Sequence, residues 1–301
     1  MNNKRRLFST VLCVAALTAG LFVSGCGSDK AGSIGSVVSS VVDGGDEKAA
    51  AKLNTLIDAT NRFNSDNASF AEFQAEGLAK LKGGFAEGAI TNQPHFDRLQ
   101  ADLEKAKKEG STFKEVDAER DNVLNILNEL VPVYKDLTAY DDSKAYMNDG
   151  GAKGKDLAAK YVAAVEKFDA AYAKFNETLN KVNAEQSKKQ IEKLKKDGKK
   201  GYAAAMESTL RLTTLVDNLE KAPQKADKAA VEKELSEIEA LLKSINNDRG
   251  QVLADRYNSV VGDVRQVLAD PSDNNLNNMI QGFNGYIDTY NSTTPDQFDA
   301  K

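Results

Sequence analysis

The chain has 301 residues, 41% hydrophobic and 28% charged, with no tryptophan, five prolines and a formal net charge of −5. That composition belongs to a folded globular protein, not to a disordered chain or a multi-span membrane protein. Once the first 25 residues are removed, as argued below, only one histidine, His95, and one cysteine, Cys26, remain, which excludes a disulfide framework, a His/Cys zinc site and a Cys–His nucleophile pair.

Lys4, Arg5 and Arg6 precede an apolar stretch of 17 residues, Leu7 to Val23, the charged-then-apolar order of a secretory signal peptide. Its length sits at the lower limit for spanning a bilayer, so the residues that follow decide between a cleaved leader and a membrane span. Val23-Ser24-Gly25-Cys26 resembles the bacterial lipobox. The likeness implies cleavage between Gly25 and Cys26, a diacylglycerol on the Cys26 sulfur, and a further chain such as palmitate on the new amine. Each buried methylene contributes about 0.8 kcal/mol, so two or more chains give stable anchoring. Residues 1–25 therefore read as a lipoprotein signal peptide, with the membrane as partner through lipidated Cys26 and an extracytoplasmic location. Gly27, where an aspartate would favour retention at the inner membrane, points by resemblance to enteric sorting to the outer membrane, facing the periplasm, if the source is Gram-negative. Cleavage removes three positive charges and leaves 37 basic and 45 acidic residues, a net of −8. A negative body outside the cytoplasm argues against a nucleic-acid partner.

Residues 26–45 hold the lipidated cysteine and a Gly/Ser-rich tether, whose 19 residues from Gly27 to Gly45 would average roughly 25 Å end to end as a flexible coil. Ile34, Val37, Val38, Val41 and Val42 share one helical face, so a short amphipathic segment is the alternative to a coil.

The body, 46–292, reads as helices throughout. Glu47 to Leu81 carries Leu53, Leu56, Ile57, Thr60 and Phe63 at helical spacing, and Gly83-Gly84 opens a loop. The next stretch, Pro94 to Tyr140, is expected to start at Pro94, break at Gly110-Ser111-Thr112 and kink at Pro132. Asn148-Asp149-Gly150-Gly151 makes a polar turn. Leu157, Tyr161, Val165, Phe168, Tyr172, Phe175, Leu179 and Val182 then form an almost unbroken helical seam. A fourth helix runs from Tyr202 to Leu219. A fifth carries Val231, Leu235, Ile238, Leu242 and Ile245, with continuation past Gly250 through Val267 left open until Pro271 stops it. The last holds Leu276, Ile280, Phe283, Ile287 and Tyr290, and residues 293–301 read as a C-terminal tail. The expected fold is all-α: an elongated bundle of about six long amphipathic helices.

Three groups of residues are candidates for chemistry. Asn54, Asp58 and Asn61 flank Ile57 at i, i+3, i+4 and i+7, and Asn284, Asp288 and Asn291 flank Ile287 in the same way. Each set shares one helix face bordering an apolar stripe, which suits either a structural hydrogen-bond network between terminal helices or a polar groove for a small solute. Tyr140, Lys144, Tyr146 and Asp149 could line a site or interlock the bundle at its turn. Seven lysines between Lys188 and Lys200 read as a solvated helix end or as a contact for anionic headgroups or cell-wall polymer. Glu232, Glu234, Glu237 and Glu239 read as a solvated face, and His95 as an ordinary surface histidine. No metal site, cofactor or catalytic constellation is expected.

The Asn-containing helices near both ends, and Tyr140-x-x-x-Lys144-x-Tyr146-x-x-Asp149 followed by Gly154-Lys155-Asp156-Leu157, resemble the YiiG-like family of bacterial lipoproteins (domain of unknown function 3829). The likeness covers about residues 50 to 292. In the family a histidine often follows that leucine; here the position is Ala158, which weakens any histidine chemistry at the turn. The resemblance implies lipid anchoring and a helical fold and supplies no reaction. The function expected is therefore a non-enzymatic, lipid-anchored envelope adaptor or binding module, with an envelope protein or a small solute as partner. The alternative is an extracytoplasmic solute-binding protein or a carboxylate-dependent hydrolase.

Overall fold

The computed structural model describes residues 44–68, 71–91, 93–110 and 113–300. Gly25, Cys26, the signal peptide and the tether as far as residue 43 lie outside the described residues. Among those described there are eleven α-helices, one 3-10 turn at Pro223–Lys225 and no strand. The helices are α1 (Gly44–Ala68), α2 (Ala71–Lys82), α3 (Phe96–Lys108), α4 (Lys114–Asp142), α5 (Tyr146–Asp149), α6 (Ala152–Lys196), α7 (Lys200–Lys221), α8 (Lys228–Lys243), α9 (Asp248–Ala269), α10 (Asp273–Asn291) and α11 (Pro295–Phe298). The all-α expectation holds, with more and shorter helices than six. They divide into two compact units, Lys48–Val182 and Asn183–Lys301, the latter joined by the first residues of α1 up to Glu47. The division falls inside α6.

In the first unit the seam of α6 is the core. Tyr161, Phe175 and Leu179 are fully buried, and Leu157, Val165, Phe168 and Val182 nearly so. The 45-residue helix is unbroken because its apolar residues recur every three or four positions and no proline interrupts them. Leu53, Leu56, Ile57 and Phe63 of α1, Phe96, Leu99 and Leu103 of α3, and Val123, Leu127 and Leu130 of α4 are buried too. Phe168 meets Phe63 and Phe96 edge-on, with ring centroids 5.8 and 5.1 Å apart, and stacks on Tyr172 at 5.2 Å. Such aromatic pairs add about 0.5–1.5 kcal/mol each beyond the area they bury. The expected break at Gly110-Ser111-Thr112 occurs, with α3 ending at Lys108 and α4 beginning at Lys114. Two details differ. Helix α3 starts at Phe96 rather than Pro94, with His95 at its N-cap. Pro132 sits inside α4, which continues to Asp142 without interruption.

In the second unit α9 packs against α8 and α10, and α7 against α8, α10 and α11. Helix α8 does not run on into α9. Asn247 adopts extended backbone and its side-chain oxygen accepts the Gly250 N–H at 2.9 Å, so the asparagine starts a new helix by competing for backbone donors. Asp227 and Ser272 cap α8 and α10 in the same way. Residues 293–300, which read from sequence as a tail, are built into the unit. Thr293 and Phe298 are buried, and the Phe298 ring stacks on Tyr202 and Tyr290 with centroids 6.1 and 6.0 Å away. Gly44 and Gly45, expected in the tether, open α1.

Candidate functional site

The central turn brings Tyr140, Lys144, Tyr146 and Asp149 into one place between α4 and α6. Lys144 has a left-handed backbone, φ 53°. Its N–H bonds the Asp141 carbonyl at 2.9 Å, and the Ala145 N–H reaches back to the Tyr140 carbonyl at 3.2 Å. This is the Schellman arrangement that ends a helix, and its side chain is exposed. Lysine therefore occupies a position where glycine is usual. Asp149 accepts the Tyr140 hydroxyl at 2.5 Å, the Gly151 N–H at 2.9 Å and the Lys153 N–H at 3.1 Å, satisfying donors at the start of α6 that have no intrahelical acceptor.

Phe85 completes this cluster. Its ring lies edge-on to Tyr140, with centroids 5.1 Å apart, and 5.4 Å from Tyr146. A Cβ on Gly154 would come within 2.5 Å of the Tyr140 ring and 2.6 Å of the Phe85 ring, so only glycine fits. The Asp141 carboxylate accepts the Gly88 N–H at 2.9 Å and holds the preceding loop. The Tyr140 hydrogen bond holds the Asp149 carboxyl below its usual range. Burial, then Asp149, raises Tyr140, while the adjacent Glu87, then desolvation, pushes Tyr146 up to about 12. All three move away from neutrality, which suits fixed donors and acceptors and not a proton relay. Of the two readings of this motif, the geometry favours interlocking the turn.

The two Asn/Asp stripes belong to different units. On α1, Asn54 and Ile57 are buried, Asn61 is half-buried and Asp58 lies at the exposed edge. Partial burial raises the Asp58 carboxyl, against the opposing charge of Arg62. Further along α1, Asn64 accepts the Tyr172 hydroxyl at 3.0 Å. The Asn67 amide donates to the Phe63 carbonyl and accepts from Gln74 at 3.2 Å. On α10, Asn284 and Asn291 are half-buried and Asp288 is exposed. The buried polar contact of α10 is instead made by Tyr286, whose hydroxyl lies 3.1 Å from both Ser208 and Thr209 on α7.

Sequence reasoning misses a groove of about 560 Å³ in the second unit, between the C-terminal half of α7, the 3-10 turn and α8. Arg211 stands at one edge, bonded through two nitrogens to Glu234 at 2.7 Å and through one to Glu237. Arg265 grips Glu232 likewise, at 2.9 and 2.8 Å. These glutamates stay a third to a half exposed, as their spacing suggests, and what the spacing does not show is their ion pairs. No local pattern marks them, because their arginine partners lie 23 to 33 residues away. Along the groove, Leu215, Leu219 and Val231 supply apolar surface and Asn218, Lys221 and Lys225 polar groups. Its size falls in the range of small-molecule sites.

Among the described residues no set of three or more His, Cys, Asp or Glu side chains could hold a metal ion, and no helix is long and apolar enough to cross a membrane. His95 is exposed. The profile of a family described as "Protein of unknown function (DUF3829)" matches residues 47–269, from α1 through the end of α9. No curated protein and no solved structure matches the chain.

Proposed function

The chain belongs to the DUF3829 family, and from that premise we propose that it is a lipid-anchored helical module of the bacterial cell envelope that binds or scaffolds a partner and does not catalyse a reaction. The observation that carries this reading is the run from Lys4 to Cys26, a charged start, 17 apolar residues and Val23-Ser24-Gly25-Cys26. The central turn adds support, since its conspicuous polar side chains cap helices and lock a corner. Intact-mass analysis of membrane-extracted protein tests the anchor. The wild type should start at Cys26 and carry acyl mass, and Cys26→Ser should accumulate as the uncleaved precursor. Normal processing of that variant would overturn the proposal.

A second reading, an extracytoplasmic solute-binding protein, is favoured by the groove between α7 and α8. There Leu215, Leu219 and Val231 lie beside Asn218, Lys221 and Lys225 in a hollow of small-molecule size. A thermal-shift screen against small envelope solutes tests it: a ligand at about 100 times its dissociation constant adds roughly 2.7 kcal/mol to stability. Stabilisation lost on changing Asn218 to a bulky apolar residue would place the solute there, and a screen without any stabilising solute would sink this reading.

A further inference from the structure

The part of α6 in the second unit carries a segregated charge. Ser187, Ile191 and Leu194 face inward and are buried. At 100° per residue, Lys188, Lys189, Lys193 and Lys196 fall within an arc of about 140° on the opposite side. The helix stops just beyond them. Gly198 takes a left-handed φ of 80°, and the Lys199 N–H bonds back to the Leu194 carbonyl at 3.0 Å. Lys200 then opens α7. Two lysines of the run are engaged. Lys195 pairs with Glu207 at 2.8 Å and with Glu192 at 3.5 Å, and Lys199 pairs with Asp296 at 3.1 Å, fastening the corner to α7 and α11. Lys188, Lys189, Lys193, Lys196 and Lys200 make no ion pair among the described residues, and all but the half-buried Lys193 are exposed.

Helix stability does not account for this arrangement. A helix C-terminus favours cations in its last turn, which covers Lys193 and Lys196 but not Lys188 or Lys189. At the start of α7, Lys200 opposes the dipole. Residues 188–200 hold seven lysines, Glu192 and Asp197, a net of +5, whereas the rest of the chain from Cys26 onward, net −8 overall, carries −13. Five cations held on an acidic protein, at some cost to one helix, fit recognition of an anionic surface.

We propose that the lysine face of the α6–α7 corner docks onto anionic phospholipid headgroups, a membrane contact additional to the lipid anchor. The choice of lipid as occupant rests on the lipoprotein reading, which puts a bilayer within reach. The start of α1, up to Glu47, belongs to the same unit as the lysine face. The 18 residue steps from Cys26 to Gly44 span at most roughly 60 Å. Lysine also suits the surface chemically, because its methylene stem covers apolar surface while the ammonium stays at the headgroup level.

Vesicle co-sedimentation of the chain from residue 27 onward, which keeps every described residue but cannot be acylated, tests this proposal. The protein should partition onto vesicles containing phosphatidylglycerol, release as salt is raised, and ignore pure phosphatidylcholine. The triple change Lys188→Gln, Lys189→Gln, Lys196→Gln should lower partitioning about 100-fold, from about fivefold per lysine near an anionic surface. The matching triple change to arginine should bind like the wild type, and the three proteins should melt together. Equal binding to both vesicle types, undiminished binding by the glutamine variant, or capture by a soluble anionic polymer without any by vesicles would each overturn it. Because Cys26 is absent from the protein tested, failure here is distinct from failure of the anchor, which the mass measurement reads separately.

Discussion

The carboxylate of Asp299 accepts the backbone N–H of Gly201 at 2.6 Å, so the penultimate turn of the chain caps the first turn of α7, almost a hundred residues earlier. The approach is closer still beside it. A Cβ on Gly201 would lie 2.1 Å from the Phe298 carbonyl oxygen, which leaves room only for glycine. Asn247 adds side-chain donors to the Gln297 and Phe298 carbonyls.

This closure predicts that Asp299→Ala costs about 1 kcal/mol, the usual worth of a helix cap, and that Gly201→Ala costs about 1–3 kcal/mol by overpacking against backbone that cannot turn away. Truncation before Pro295 should cost more than Asp299→Ala, because it also uncovers the faces of Tyr202 and Tyr290. Urea denaturation followed by circular dichroism checks all three. An unchanged midpoint on truncation would mean that α11 only rests on the surface.

The helices are legible in the sequence where periodicity is strong. The α6 seam from Leu157 to Val182 can be read residue by residue, because a single register of apolar positions admits one buried face. The stop at Gly198 and the end of α9 before Pro271 are marked by residues with one local meaning. Less visible are features whose partners are distant in sequence. Asn247 starts a new helix through its own side chain four residues after α8 stops at Lys243, a break that the apolar spacing from Val231 to Val267 does not show. Phe298 is an isolated aromatic in a polar tail, and nothing local says that it stacks on Tyr202 and Tyr290. The central motif is visible as a pattern, but its role depends on seeing that Lys144 is a left-handed helix stop, that Asp149 is saturated by three donors, and that Gly154 admits two rings. The stripes on α1 and α10 match as strings yet belong to different units, a fact that no helical wheel contains.

If the central turn is an interlock, its residues should act on stability and not on binding. Gly154→Ala should cost about 1–3 kcal/mol despite the better helix propensity of alanine, because Tyr140 and Phe85 must shift. Asp149→Ala and Tyr140→Phe should each lower the melting temperature, and the double variant should fall by less than the sum of the two, since both remove the same 2.5 Å bond. Differential scanning calorimetry of the four proteins gives the cycle. Additive losses would show that the two side chains act independently.

Glu220, near the end of α7, gives the second unit a pH-dependent contribution to stability. Its Oε2 atom is buried without a hydrogen-bond partner among the described residues. Burial, with a smaller contribution from Asp217 and opposed by Lys221, pushes its carboxyl up from the usual 4.5 to about 7. In the unfolded chain the group ionises near its usual value, so between these two pH values the folded protein holds a proton that the unfolded one has lost. Stability must then fall as pH rises through that window and level off above it, by up to about 3 kcal/mol in all, since each pH unit across the window costs roughly 1.4 kcal/mol. Glu220→Gln removes the ionisation and keeps the shape. Its stability minus that of the wild type should therefore be near zero at about pH 4 and positive at about pH 8, with the rise between them. Chemical denaturation of both proteins across this range measures the difference directly, and a flat difference would show that the Glu220 carboxylate reaches water in the folded state.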